Sequence, residues 1–356
     1  MDVYLIVIGR KALTRPGFDY GRFITLLGDR NYGVSKIIFA DDGESVVVPA
    51  SPESERLIVL TGDISAFVGS LTGGEEYADI IKKDRDIYVP MPVLDENLVR
   101  ETIIPLLNSR CRTSSNTVIF KTFGKTENEL REILSACMKG RSRISFAFLE
   151  HGQECDVRIT YTKSVPSAII NDVVNRTGAA LENCVYAYKD ISLAKSVARR
   201  LMASGRKLAI AESFTGGGLA AALIASPGMS NSLIESLVCY SNESKISRLG
   251  VPASTIEKSG AVSPDTAFEM ANGLLSNLRA DIVVATTGNA GPTAEKDGQV
   301  GLFYIAIGDR SAIHVFEQYY QTKDPDTKSV DDIRREITEA GINTALFELG
   351  RYLNKR

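Results

Sequence analysis

Two histidines, His151 and His314, are all that 356 residues contain, and tryptophan is absent. So little imidazole nearly excludes a serine–histidine–aspartate triad and leaves a histidine-rich zinc site short of ligands. No cysteine pair has CxxC spacing. Cys111, Cys137, Cys155, Cys184 and Cys239 are an odd, dispersed set, which reads as buried free thiols in a reducing, cytoplasmic setting. Apolar runs such as 57–60 and 219–225 fall far short of the roughly 20 residues that cross a bilayer. The start, Met1-Asp2-Val3-Tyr4, lacks the basic stretch of a secretory leader and reads as a first strand. A basic excess is missing too: 41 Lys plus Arg face 44 Asp plus Glu, a net charge of −3. Neither a membrane nor a nucleic acid is therefore an expected partner.

What is present is ordinary globular material, 44% hydrophobic and 24% charged. At roughly 100–200 residues per domain the length allows two or three domains, and the pattern suggests three, at 1–112, 113–188 and 189–356. The first has short Val/Ile/Leu runs at 3–8 and 57–60, suited to buried parallel strands, an amphipathic stretch at 20–27, a further strand at 45–48 and a closing helix at 97–107. The second reads strand, helix, two strands, helix, strand: a small α+β unit of KH-like order, without the GxxG loop that KH domains use on nucleic acid. Within it, Ser167 after Pro166 is expected to cap a helix. The third alternates helices and strands in an α/β sandwich of mixed strand direction. The expected fold class is α/β, in three domains of which the middle one is the small α+β module.

Chemistry concentrates in three strings of the third segment. Ala211-Glu212-Ser213-Phe214-Thr215-Gly216-Gly217-Gly218 lies between a strand and a helix, where glycines permit tight dihedrals and a helix start leaves N–H donors for a phosphate or an oxyanion. The same string also serves as a plain strand-to-helix turn, and it lacks the Gly-Lys-Ser/Thr ending of a P-loop. Tyr240-Ser241-Asn242-Glu243-Ser244-Lys245 ends a strand and begins a helix, with Asn242 the expected cap. A lysine in that first turn meets the positive end of the helix dipole, which disfavours its ammonium form. With histidine scarce, a serine–lysine pair is the nucleophile and base that this chain offers, although a lone lysine there would also suit a solvated surface. Thr286-Thr287-Gly288-Asn289-Ala290-Gly291-Pro292 follows a third strand. Three such loops make a cleft at the carboxyl edge of a sheet. Arg334 and Arg335, early in the last helix, are candidate anion contacts.

These residues resemble the C-terminal domain of the CinA (competence/damage-inducible) family. The family pattern A-E-S-C-T-G-G, Y-S-N-x-x-K, G-A-V-S, T-G-x-A-G-P, V-G and I-R is met in order, from Ala211 through Lys245, Ser263 and Pro292 to Arg334, over about the last 165 residues. The resemblance implies a nicotinamide mononucleotide deamidase, an amidohydrolase of pyridine-nucleotide recycling that needs no cofactor and no metal. It implies Ser213 as nucleophile, Lys245 as base and Tyr240 beside them. Thr215, Gly216, Gly217, Asn242, Thr287, Gly288, Gly291 and Arg334 are then the substrate contacts, with backbone N–H groups of 215–217 holding the oxyanion. Phe214 stands where the family commonly has cysteine, so that position is read as packing.

The first segment resembles a worn form of the family's molybdopterin-binding-like domain, associated with ADP-ribose pyrophosphatase activity. The family's G-D-E-x-L is Gly9-Arg10-Lys11-Ala12-Leu13 here, with bases in place of two carboxylates, and its T-G-G-x-G-P-T loop is reduced to Thr61-Gly62-Asp63-Ile64-Ser65. Metal binding should suffer. A structural or homodimerising role is expected instead. The readings that compete with deamidation are a catalytically silent nucleotide-binding scaffold and, less favoured, the pyrophosphatase.

Overall fold

The computed structural model describes residues 2–8, 24, 27, 32–40, 55–60, 75–77, 80–83, 85–90, 98–110, 115–139, 143–162, 164–277, 279–293, 298–323 and 325–354. Its contacts divide the chain into two compact units, one of residues 1–118, 140–146 and 158–173, the other of 119–139, 147–157 and 174–356. The segment expected at 113–188 is thus apportioned between the two.

In the first unit β1 (Asp2–Ile8), β2 (Gly33–Ala40), β3 (Glu55–Leu60), β4 (Glu75–Tyr77), β5 (Ile80–Lys83) and β6 (Asp86–Pro90) form a sheet of order β2-β1-β3-β6-β5-β4. The first four strands of that order are parallel, and β5 and β4 add antiparallel. Val3, Leu5, Val7, Leu57, Val59, Ile87 and Val89 build one core with Val99, Ile103 and Leu107, whereas Ile6 and Ile58 meet in another cluster. That alternation is the pleat of strands buried on both sides, and it explains why their sequences read as unbroken apolar runs. The closing helix is α1 (Ile104–Arg110), preceded by a π-helical turn, Val99–Ile103. Pro105 gives the reason: it has no N–H to return to the carbonyl four residues back, and a widened turn just before it absorbs the mismatch. The expected strand at 45–48, most of the stretch 20–27, the strings 9–13 and 61–65, and Cys111 lie outside the described residues.

Residues 115–187 run β7 (Ser115–Phe123), α2 (Glu127–Ile133), α3 (Ser135–Met138), β8 (Ile144–His151), β9 (Glu154–Thr162), α4 (Ser167–Ala180) and β10 (Val185–Ala187), with strand order β10-β7-β9-β8. Ser167 is the first residue of its helix rather than the cap. The carbonyl of Pro166 accepts from Ile169 and Ile170 instead, since a proline ahead of a helix forfeits no needed N–H. Cys137, Cys155, Cys184 and Cys239 are free and buried. Burial pushes the Cys155 and Cys184 thiols up to about 11, which suits inert side chains.

The rest of the second unit is an α/β sandwich. Strands β11 (Leu208–Glu212), β12 (Leu233–Val238), β13 (Ile282–Gly288), β14 (Leu302–Gly308) and β15 (Ile313–Tyr319) take the order β12-β11-β13-β14-β15. β12, β11 and β13 are parallel; β14 and β15 continue antiparallel. Leu208, Ile210, Ile282, Val284, Phe303 and Ile305 pack on one face with α5 (Leu193–Ser204), α6 (Gly218–Ile224) and α10 (Val330–Asn354). Ala209, Ala211, Val283, Ala285, Tyr304 and Ala306 face the other way, toward α7 (Asn242–Leu249), α8 (Ala253–Ser259) and α9 (Pro264–Asn277). Small residues on that second face let α9 lie close, and Gly273 brings it closer to α7: a Cβ there would stand 1.9 Å from the Leu249 carbonyl oxygen. No described helix is long and apolar enough to cross a membrane.

Candidate active site

Because β12, β11 and β13 are parallel neighbours, the three polar strings leave the sheet at one edge, the carboxyl edge where α/β folds bind ligands. Ser213 is the first residue beyond β11, and its N–H donates to the Thr286 carbonyl at 3.0 Å, tying the turn to β13. The chain then reverses through Gly216 (φ 59°) and Gly217 (φ 95°), left-handed conformations that favour glycine, and enters α6.

Lys245 closes the first turn of α7. The helix is capped by Ser241, whose Oγ accepts from the Ser244 N–H at 3.1 Å. Asn242, expected as the cap, is instead the first helical residue, because the extended residue (φ −80°, ψ 158°) lies one position earlier; its side chain is exposed. Lys245 is 2% exposed and Ser213 6%. The lysine Nζ donates to Ser213 Oγ at 3.1 Å and to the Tyr240 carbonyl at 2.9 Å. An amine buried this deeply would be destabilising without such acceptors.

Tyr240 thus meets Lys245 through its backbone, while its side chain is 60% exposed. Its hydroxyl accepts from Arg334 Nη2 at 2.8 Å, and Arg334 Nη1 donates to the Gly291 carbonyl. Arg334 therefore joins the second loop to the third. Arg335 turns to Asp332 on its own helix at 2.5 Å and stays exposed. Thr215 and Thr286 share a hydrogen bond at 2.8 Å between their hydroxyls, and Thr287 donates to the Ala261 carbonyl at 2.7 Å. Gly288 ends β13 without space for a side chain: a Cβ would lie 2.4 Å from the Phe303 Cβ. Ser263 caps α9, accepting from the Thr266 N–H at 3.1 Å.

Two residues that sequence reasoning passed over belong to this edge. Thr286, fully buried, holds Thr215. Glu212, also fully buried, accepts from the N–H groups of Gly217 at 2.9 Å, Leu219 at 3.0 Å and Ala220 at 3.0 Å, and from Ser236 Oγ at 3.3 Å. The available signal was a carboxylate ending an apolar strand just before a glycine turn. Glu212 corrects the expectation of a free helix start, since those donors are already engaged. It also narrows the oxyanion donors expected at 215–217: the Gly217 N–H serves Glu212, and that of Gly216 serves the Ser213 carbonyl at 3.1 Å. The N–H groups of Phe214 and Thr215 have no hydrogen-bond partner among the described residues. The Phe214 ring is buried, 5.4 Å from that of Phe303 between centroids, as befits packing.

Fold and edge together define an α/β domain with a buried serine–lysine pair at the carboxyl end of a mixed sheet. Residues 190–349 match the family model of the CinA C-terminal domain. A relative from Caldicellulosiruptor saccharolyticus, named for competence-damage induction, is 33% identical over 245 residues, which is 67% of this chain and 60% of the relative. This chain thus spans about 60% of the length of that relative. The solved CinA superfamily protein of Klebsiella pneumoniae is 32% identical and covers 46% of this chain and 97% of its own, with a TM-score of 0.42. The competence/damage-inducible protein of Agrobacterium tumefaciens is 35% identical, covering 46% and 97%, with a TM-score of 0.41. Residues 190–349 are thus a CinA C-terminal domain.

Proposed function

We propose that the C-terminal domain hydrolyses the carboxamide of nicotinamide mononucleotide, giving nicotinic acid mononucleotide and ammonia. The observation that carries this reading is the 3.1 Å contact between Lys245 Nζ and Ser213 Oγ, both buried at the sheet edge. A carboxamide is a poor electrophile, so its attack needs an activated hydroxyl and donors for the developing oxyanion. A lysine acts as a base through its unprotonated amine, a form that low-dielectric surroundings favour. In that state the contact runs from the Ser213 hydroxyl to Nζ. As Oγ bonds to the carbonyl carbon, its proton passes to Lys245, and the Phe214 and Thr215 N–H groups hold the oxyanion. Lys245 returns the proton to the leaving nitrogen, ammonia departs, and water cleaves the resulting Ser213 ester.

Arg334, held by two neutral acceptors, supplies positive charge at the mouth between the second and third loops, where the 5′-phosphate is assigned together with Gly288 and Gly291. Residues 1–112 and 113–188 are assigned structural or homodimerising roles in a cytoplasmic protein. The test is release of ammonia from the mononucleotide by purified protein, with and without a chelator. Equal release in both, lost in Ser213→Ala, is the expected result. No release by the wild-type protein, or full activity in Ser213→Ala, rejects the reading.

A further inference from the structure

We propose that Glu212 is the positioning residue of the nucleophile turn, an inference that rests on reading Ser213 as the nucleophile. A carboxylate shut off from solvent survives only where donors surround it. Glu212 has four, and their placement is informative. Gly217, Leu219 and Ala220 lie five, seven and eight residues ahead, beyond the turn that begins at Ser213. The fourth, Ser236, belongs to the adjacent strand β12. The carboxylate therefore ties the end of β11 to the start of α6 across the base of the turn and closes 213–217 into a loop of fixed span.

Within that loop are the three groups the reaction needs in register: Ser213 Oγ and the Phe214 and Thr215 N–H groups. The turn has a second tie, Ser213 N–H to the Thr286 carbonyl on β13, at 3.0 Å. One tie fixes where the loop leaves the sheet; Glu212 fixes where it returns. Without the carboxylate the three backbone donors would be buried and unpaired, and the glycines at 216 and 217 would let the loop relax away from Lys245.

The consequence is a loss in kcat with little change in KM, because none of Glu212's partners is among Arg334, Gly288 and Gly291, to which the substrate's anionic end is assigned. A displacement of about 1 Å at the reacting atoms can lower a rate roughly 100-fold, and that is the fall expected for Glu212→Ala, with KM within about 3-fold. Glu212→Gln keeps one acceptor oxygen and should recover part of the loss. Ser236→Ala, which removes only the longest of the four contacts, should lower kcat a few-fold. Tyr352→Phe serves as the comparison for stability: it removes a 2.7 Å bond to Asp309, a contact that the mechanism does not use, and should leave kcat unchanged.

Two readouts are needed, ammonia release and the rate at which a small sulfonyl fluoride labels Ser213. Parallel falls in kcat and labelling rate, graded Ala below Gln below wild type, support the proposal. Folded Glu212 variants with kcat and labelling within about 3-fold of wild type, or an equal fall in Tyr352→Phe, overturn it. Should neither Glu212 variant fold, an unchanged Ser236→Ala overturns it instead. Labelling does not depend on the substrate, so a wild-type protein that labels at Ser213 without deamidating the mononucleotide refutes the function and still tests the tie.

Discussion

The six-stranded sheet and the five-stranded sheet use the same kind of strand and finish it differently. In the first, β1, β3 and β6 end at Ile8, Leu60 and Pro90, and every buried side chain among the described residues up to 110 is apolar or the tyrosine Tyr32. In the second, β11 ends in Glu212 and β13 in Thr286-Thr287-Gly288, with Ser213, Thr215 and Lys245 buried beside them. A buried polar group left unpaired costs about 1–3 kcal/mol, and each of these has a partner: Glu212 with α6, Thr215 with Thr286, Thr287 with Ala261, Lys245 with Ser213. Apolar alternation accounts for the stability of either sheet. Among the described residues, paired polar strand ends distinguish the sheet that carries the candidate site.

That contrast is broken most sharply at Lys245. Lys245→Met replaces a buried amine with an apolar chain of similar length, so activity should fall about 10³-fold or more while stability stays level or rises. Ammonia release and a denaturant midpoint measured on the same preparation check this, and a large loss of stability with activity retained would contradict it. Leu57→Ala is the reverse case: stability should drop by about 2–5 kcal/mol in chemical denaturation, with kcat per folded molecule unchanged. Gly273→Ala mixes the two, since its Cβ would strike the Leu249 backbone at the end of the helix that carries Lys245. We expect about 1–3 kcal/mol of destabilisation together with a lower kcat. Tyr240→Phe should be mildest. It removes one hydrogen bond to Arg334, worth about 0.5–1.5 kcal/mol, and should raise KM while sparing kcat, because Lys245 rests on the Tyr240 carbonyl and not on its ring.

Much of the C-terminal fold is legible in the sequence because its punctuation is local. Gly205 and Gly250 close helices in the left-handed conformation (φ 67° and 70°), and the runs that become β11 and β13 are apolar enough to read directly. The Ser213–Lys245 pair is legible as residue types, not as a distance, since 32 residues separate the two. Other features depend on backbone geometry that composition does not encode. Ser241 and Asn242 are both good caps, and only the dihedral angles choose the first. Strands β2, β4 and β5 and the short helix α8 also passed unread: the strands lack long apolar runs, and α8, though bracketed by Pro252 and Gly260, is only seven residues long with no buried residue to mark a face. Glu212 was hidden for a different reason: its partners come into reach only after the turn has folded.

Phe214 and Gly341 carry a consequence for which substitutions this domain tolerates. The ring of Phe214 occupies the space beside Gly341 so fully that a Cβ on that glycine would lie 2.3 Å from the Phe214 Cζ. A cysteine at 214 leaves that space open and lets position 341 take a side chain; a phenylalanine forbids one. The two positions are coupled: a side chain at 341 and a phenylalanine at 214 would compete for one space. Replacing Phe214 by a small residue while 341 stays glycine would leave a hollow in the core, so the residue after Ser213 is held in place by a position on the last helix.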